Sequence, residues 1–142
     1  MRRITDFQLS MIHLKTEREL EKIRASSRIA AEAMALAVEA VAPGVTTGRL
    51  DEIASAHILS QGGVASALGY RGYPKSICVS VNDEVVHGIP GDYVLQEGDV
   101  ISIDTGCRIH NWCGDSAVTL PIGKIDPAIE KLLEVTANTL QM

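Results

Sequence analysis

Val100-Ile101-Ser102-Ile103-Asp104-Thr105-Gly106 leads into Cys107-Arg108-Ile109-His110-Asn111-Trp112-Cys113, and the chain resumes with Gly114-Asp115-Ser116-Ala117-Val118-Thr119-Leu120. The two flanks read as short strands joined by a turn. Asp104 and Asp115 are eleven residues apart. If the chain reverses between Ile109 and His110, the two fall directly opposite, where the Cβ atoms of an antiparallel pair lie only ~5 Å apart. Carboxylates that close repel each other unless a proton or a cation lies between them. Divalent ions about 3.5–4 Å apart, bridged by carboxylates, resolve that repulsion in many hydrolytic sites. Register decides the matter, because a one-residue slip sends one acid to the opposite face. The competing reading is two solvated acids flanking a hairpin.

The chain of 142 residues is one domain's worth and long enough for a core. Its 46% hydrophobic and 22% charged residues are ordinary for a globular protein. A net charge of −5 argues against non-specific nucleic-acid binding and offers no basic stripe to anionic lipid. No apolar run approaches ~18 residues, so no membrane span is expected. Met1-Arg2-Arg3-Ile4-Thr5-Asp6 is basic but lacks a following apolar stretch, so it is not read as a secretory signal. Cys78, Cys107 and Cys113 show no Cys-x-x-Cys spacing and read as reduced thiols of a cytoplasmic protein.

Residues 1–10 read as an extension and Met11-Ile12-His13-Leu14 as a possible strand. Thr16-Glu17-Arg18-Glu19 fits a capping box. The helix it opens carries an apolar stripe of Leu20, Ile23, Ile29, Ala30, Ala33, Leu36, Ala37 and Val41, and Pro43-Gly44 stops it. A second helix begins near Thr47, with Leu50, Ile53, Ala54, His57 and Ile58 on one face, and ends at Gly62-Gly63. His57 on that face reads as a packed, hydrogen-bonded histidine rather than a ligand. Ser76-Ile77-Cys78-Val79-Ser80-Val81 alternates as a strand, and Val85-Val86 starts another that breaks at His87-Gly88-Ile89-Pro90. Asp126-Pro127 caps a last helix over 128–142, with Ile129, Leu132, Leu133 and Thr136 expected to face inward. That helix carries no stop signal and reads as interrupted.

His87, at the point where the backbone leaves the sheet, is placed to reach into a cleft with a side chain suited to hydrogen bonding or proton donation. The bland alternative is an exposed turn histidine. His13 and His110 receive no role. Cys107 and Cys113 bracket the turn, but no second Cys or His pair completes a zinc set. Tyr70-Arg71-Gly72-Tyr73-Pro74 either lines an apolar pocket beside Cys78 or packs as ordinary turn residues.

Taken in order, Gly72-Tyr73-Pro74-Lys75-Ser76-Ile77-Cys78-Val79-Ser80-Val81-Asn82, Val86-His87-Gly88-Ile89-Pro90 and Gly98-Asp99-Val100-Ile101-Ser102-Ile103-Asp104 resemble type I methionine aminopeptidases. The resemblance implies an α+β fold, an antiparallel sheet covered by helices, forming half of the pita-bread architecture. On that basis residues 11–142 would be a truncated domain: the first of two pseudo-symmetric halves plus the opening helix of the second. It also implies a metal pair (Mn, Fe, Co or Zn) with Asp104 gripping one ion and Asp115 bridging both. His87 would hydrogen-bond the scissile peptide or the tetrahedral intermediate. Tyr70, Tyr73 and Cys78 would line the methionine pocket, since a thiol and aromatic edges suit a thioether.

The reaction implied is metal-dependent hydrolysis of the first peptide bond of a chain beginning with methionine, small second residues being preferred. The partners implied are a peptide or nascent-protein N-terminus, the ribosome in its vicinity, and a C-terminal half. Two departures stand out. Trp112-Cys113-Gly114-Asp115 carries Cys113 where the family usually has a histidine. The family's remaining ligands, a His and two Glu, have no counterpart, because no histidine follows His110 and Asp126, Glu130 and Glu134 match none of those positions. The expectation is therefore little or no activity from this chain alone, since two carboxylates do not hold two divalent ions in hydrolytic geometry. A non-catalytic half acting as a binding or assembly module is the rival reading, and a sibling cleaving Xaa-Pro bonds or creatine is a third.

Overall fold

Ten residues of β3 (Val100–Ile109) pair with ten of β4 (Trp112–Pro121) in one antiparallel ladder, and the other elements are placed around it. The computed structural model describes residues 13–141. Of the expected first strand, Met11 and Ile12 lie outside that range, and His13 and Leu14 belong to no regular element. The ladder reverses at His110-Asn111, both at positive φ (48° and 65°). A two-residue turn with both φ positive matches the right-handed twist of its strands, and asparagine tolerates that conformation well. The reversal is thus one residue later than expected. Asp104 pairs with Ala117 and Asp115 with Gly106, so the acids are diagonal rather than opposed. The slip changes the partner of each by an even number of residues, and both side chains keep the same face.

Two short strands, β1 (Val64–Ala65) and β2 (Cys78–Val81), line the other edge of β3 and complete a four-stranded antiparallel sheet. Ile101, Ile103, Thr105 and Cys107 are fully buried on the face of β3 that meets the helices. α1 (Glu17–Glu39) starts at the expected capping box, with Glu19 N donating to Thr16 Oγ1 (3.4 Å) and Thr16 N to the Glu19 carboxylate (2.8 Å). Ile29, Ala30, Ala33 and Ala37 form its buried stripe. Leu36 sits at the margin of that stripe and stays 38% exposed, against expectation. Ser26 takes a buried place instead, because Gly114 of β4 lies so close to the Ser26–Ser27 backbone that any Cβ there would collide with it. The helix caps at Ala40, ahead of Pro43-Gly44.

α2 (Thr47–Ser60) is capped by Thr46, whose hydroxyl accepts from Arg49 N (3.2 Å), and buries Leu50, Ala54 and Ile58. His57 is partly buried and pairs with Glu32 of α1 at 3.1 Å, holding the two helices together. Asp51, buried on α2 and passed over in the sequence, accepts from Ser76 N (2.8 Å) and Ile77 N (3.0 Å) just ahead of β2. β2 itself is buried at all four positions instead of alternating. Its second face and free edge are closed by the following loop, where Gly88 N donates to Ser80 Oγ (3.0 Å) and Val79 N to Gly88 O (3.0 Å).

Two expectations are corrected. Val85-Val86 forms no strand: the chain turns at Val81–Glu84, with Glu84 N donating to Val81 O (3.1 Å), and both valines stay exposed. α3 (Pro127–Leu140) is capped by Asp126 as expected, its side chain accepting from Ala128 N (2.7 Å). However, it buries none of its residues. Ile129, Leu132 and Thr136 are exposed and Leu133 is only partly covered, since β4 is the main element the helix meets and it meets it sparingly. The sheet covered on one face by α1 and α2 is the expected α+β arrangement.

Asp51→Ala strands two backbone N–H groups beside β2 and is expected to cost about 2–4 kcal/mol. Asp51→Asn, which can still accept at Oδ1, should cost less than half of that. Urea midpoints of the two variants at neutral pH check the order.

Candidate active site

Alternation along the ladder sends Ser102, Asp104, Gly106 and Arg108 of β3, with Cys113, Asp115, Ala117 and Thr119 of β4, to the face away from α1 and α2. The 2.8 Å contact between Ser102 Oγ and Thr119 Oγ1 marks that face directly. Over it opens a cleft of about 1050 Å³. Tyr70, Tyr73, Cys78, His87, Asp104 and Asp115, all singled out in the sequence, line it together.

Cys78 is the cross-strand partner of Asp104, which puts its thiol on the same face as the acids. Burial pushes that thiol's pKa up and the charges of Asp104 and Asp115 add to the effect, while the Tyr73 hydroxyl beside it opposes the rise. The Tyr73 hydroxyl donates its one proton to Gly88 O (2.8 Å), with Ile77 O 3.1 Å away as the alternative acceptor. Burial, and then its contact with Cys78, hold its pKa above the ordinary tyrosine value. Both groups therefore stay neutral as pocket walls. Tyr70, on a single 3-10 turn (Tyr70–Gly72), is 66% exposed and forms the rim.

His87 stands in the loop after β2 with φ of 60°. Its neighbour Gly88 is pressed against β2, where a Cβ would collide with Val79 O and lie 2.8 Å from Ser80 Cα and Glu84 Oε2. That close approach, together with the Tyr73 hydroxyl on Gly88 O, fixes the backbone from which the imidazole extends. Burial, and then the charge of Asp115, drives the Asp104 carboxyl above the ordinary aspartate range, with His87 opposing the rise only in part. Such a pair is relieved by a proton or by a cation.

The donor set suits a hard divalent ion, since two carboxylates share one face and one of them resists ionising alone. It is also short. Among the described residues no group of three or more His, Cys, Asp or Glu side chains is gathered to hold a metal. Cys107 is buried beneath the sheet while Cys113 is exposed on the cleft side, so the two thiols sit on opposite faces. The lining residues to which sequence reading gave no role include Ser66, Ile89 and Arg108, while Cys113 and Arg71, both noted in the sequence, also line the cleft. Counting alternate positions outward from Asp104 and Asp115 was the signal that finds Arg108.

Residues 21–142 match Peptidase M24, metallopeptidase family M24, and the chain belongs to that family. Its curated relatives include methionine aminopeptidase 1 of Bacillus subtilis, 48% identical over 130 residues, which cover 92% of this chain and 52% of that protein. The methionine aminopeptidase of Aquifex aeolicus is 44% identical over 136 residues, covering 91% of this chain and 53% of its own. Among solved structures, methionine aminopeptidase from Rickettsia prowazekii superposes with a TM-score of 0.88 at 35% identity, over 92% of this chain and 53% of the other. The fold is that of about half a pita-bread enzyme, and the chain spans about half the length of the curated relatives it matches. Prolidase from Pyrococcus furiosus, 19% identical with a TM-score of 0.73, shares the fold alone.

A raised folded-state pKa means that Asp104 favours folding in its protonated form. Its contribution is complete below the unfolded value, ~3.9, and is lost as pH rises through the folded value. Without divalent ions, Asp104→Asn should therefore raise the denaturation midpoint at pH 7, with the gain shrinking as pH falls toward about 3.5. Equal midpoints across that range would contradict the electrostatic account of the pair.

Proposed function

We propose that this chain is the N-terminal half of a methionine aminopeptidase, residues 11–142 supplying the first pseudo-symmetric half and the opening helix of the second, behind an extension at 1–10. The observation that carries the reading is one cleft lined by Asp104, Asp115, His87, Tyr70, Tyr73 and Cys78. The names of the 48%-identical and 44%-identical relatives support the same activity. The substrate is a peptide or nascent protein beginning with methionine, with a small second residue, met in the cytoplasm near the ribosome. The free cysteines, and the absence among the described residues of any helix long and apolar enough to cross a membrane, agree with that compartment.

Asp104 and Asp115 would hold two divalent ions (Mn, Fe, Co or Zn) together with ligands from a second half. When bound, such ions supply Lewis acidity and a nucleophile at neutral pH. The chain's own residues do the rest. Tyr70, Tyr73 and Cys78 surround the methionine side chain with neutral aromatic and sulfur surface. His87 hydrogen-bonds the nitrogen of the scissile amide and holds a proton at its ring for the departing amine.

Alone, with Mn²⁺ or Co²⁺, the chain is expected to release no methionine from Met-Ala-Ser. Joined to the C-terminal half of the Bacillus subtilis relative, it should release methionine. His87→Ala in that chimera should lower the rate by ~10²-fold or more, and Asp104→Asn or Asp115→Asn should lower it further. A folded chimera without turnover supports the rival reading of a non-catalytic binding module.

A further inference from the structure

Gly106 leaves a bare spot on the sheet beside Asp115. Ser66 directly follows β1 and continues its pairing with β3, its N–H donating to Gly106 O (2.9 Å). Asp115 is the partner of Gly106 on the opposite side. Ser66, Gly106 and Asp115 therefore form one row across the sheet, and all three line the cleft. The outer two backbones stand two strand spacings apart, roughly 10 Å, and their side chains lean in over the glycine. A Cβ at Gly106 would lie 2.9 Å from Ser66 Cβ, 3.2 Å from Ser66 Oγ and 3.4 Å from Asp115 Oδ2. The hydroxyl and the carboxylate oxygen thus face the same point.

The Ser66 hydroxyl oxygen is buried and has no hydrogen-bond partner among the described residues. Thr105 Oγ1 shares that condition, but Thr105 is fully buried on the helix side of β3. A buried hydroxyl left unpaired is costly to keep, and such a group in a native structure calls for a reason. A partner gained when the site is loaded supplies one, and Asp115 is the acceptor nearest the shared point.

Resting on the aminopeptidase reading, we propose that Ser66 is a positioning residue of the metal site, its hydroxyl donating to the Asp115 carboxylate when that carboxylate holds a divalent ion. A donor behind a metal-bound carboxylate fixes its rotamer and strengthens through the ligand's charge. Gly106 gives Asp115 no side chain to pack against, which leaves Ser66 as the neighbour in the row able to restrain it. In this role Ser66 bonds the carboxylate and not the ion, and it acts through Asp115 alone.

The test is Mn²⁺ binding by the full chain, followed by electron paramagnetic resonance, so that no turnover enters the readout. The unaltered chain should take up Mn²⁺ weakly through Asp104 and Asp115. Ser66→Ala should weaken that binding about tenfold, the lower end of what losing a group behind a metal ligand costs. In an Asp115→Ala chain, adding Ser66→Ala should weaken the residual binding no further, because the two changes remove one interaction. Without divalent ions, Ser66→Ala should leave the urea midpoint level or raise it, since the hydroxyl has no partner to lose, whereas a merely structural serine would lower it. Equal Mn²⁺ affinity with and without the hydroxyl, a tenfold loss that persists in the Asp115→Ala chain, or a lowered metal-free midpoint overturns the proposal and leaves the aminopeptidase reading standing. If the unaltered chain binds no Mn²⁺, or binds it equally after Asp104→Asn and Asp115→Ala, the reading of the pair as a metal site fails and this proposal fails with it.

Discussion

In the β3–β4 ladder every residue of one strand has a fixed partner on the other, and side chains alternate strictly between the two faces. That alternation divides the hairpin's chemistry. Ile101, Ile103, Thr105 and Cys107 go under α1 and α2, while Asp104, Asp115, Arg108 and Cys113 go to the open cleft. A slip by a single residue would place carboxylates among the aliphatic side chains of the core and bring isoleucines into the cleft, at a cost of several kcal/mol for each ion buried. The hydrophobic burial that stabilises the fold therefore also holds the acids in place. Gly114 reinforces the register from the other side, since only glycine lets β4 approach the backbone of α1 at Ser26–Ser27.

Around this ladder the rest of the cleft is fixed by polar contacts made at a distance from the chemistry. Asp51 anchors the backbone entering β2, which sets Cys78 opposite Asp104. The loop after β2 is tied back by Gly88 to Ser80 and Val79 and by the Tyr73 hydroxyl to Gly88. His87 inherits its position from those ties. The pocket wall and the histidine are thus coupled through one tyrosine, so a change at Tyr73 acts on both the shape of the pocket and the place of the imidazole.

The open side of the molecule is the counterpart of this well-tied one. α3 leaves Ile129, Leu132 and Val135 exposed, and among the described residues no third His, Cys, Asp or Glu side chain joins the two carboxylates to hold a metal. Both observations agree with a chain that spans about half the length of its methionine aminopeptidase relatives. On the aminopeptidase reading proposed above, this chain would contribute the substrate wall, the histidine and part of the metal set.

Local signals in the sequence were enough for the capping box at Thr16–Glu19, the stop after α1, the start of α2, the strand through Cys78 and the proline-led start of α3. Each depends on groups within a few residues of one another. The same holds for the pairing of Asp104 and Asp115 on one face, because alternation is a local property of a strand. The exact centre of the hairpin was decided by the left-handed conformations of His110 and Asn111, which another turn length could have replaced. The tertiary structure alone decided that Val85-Val86 is loop, that β2 is buried on both sides, that Asp51 is an anchor, and that α3 finds little to pack against. Those outcomes depend on what lies across space from a segment, and neither propensity nor periodicity carries that information.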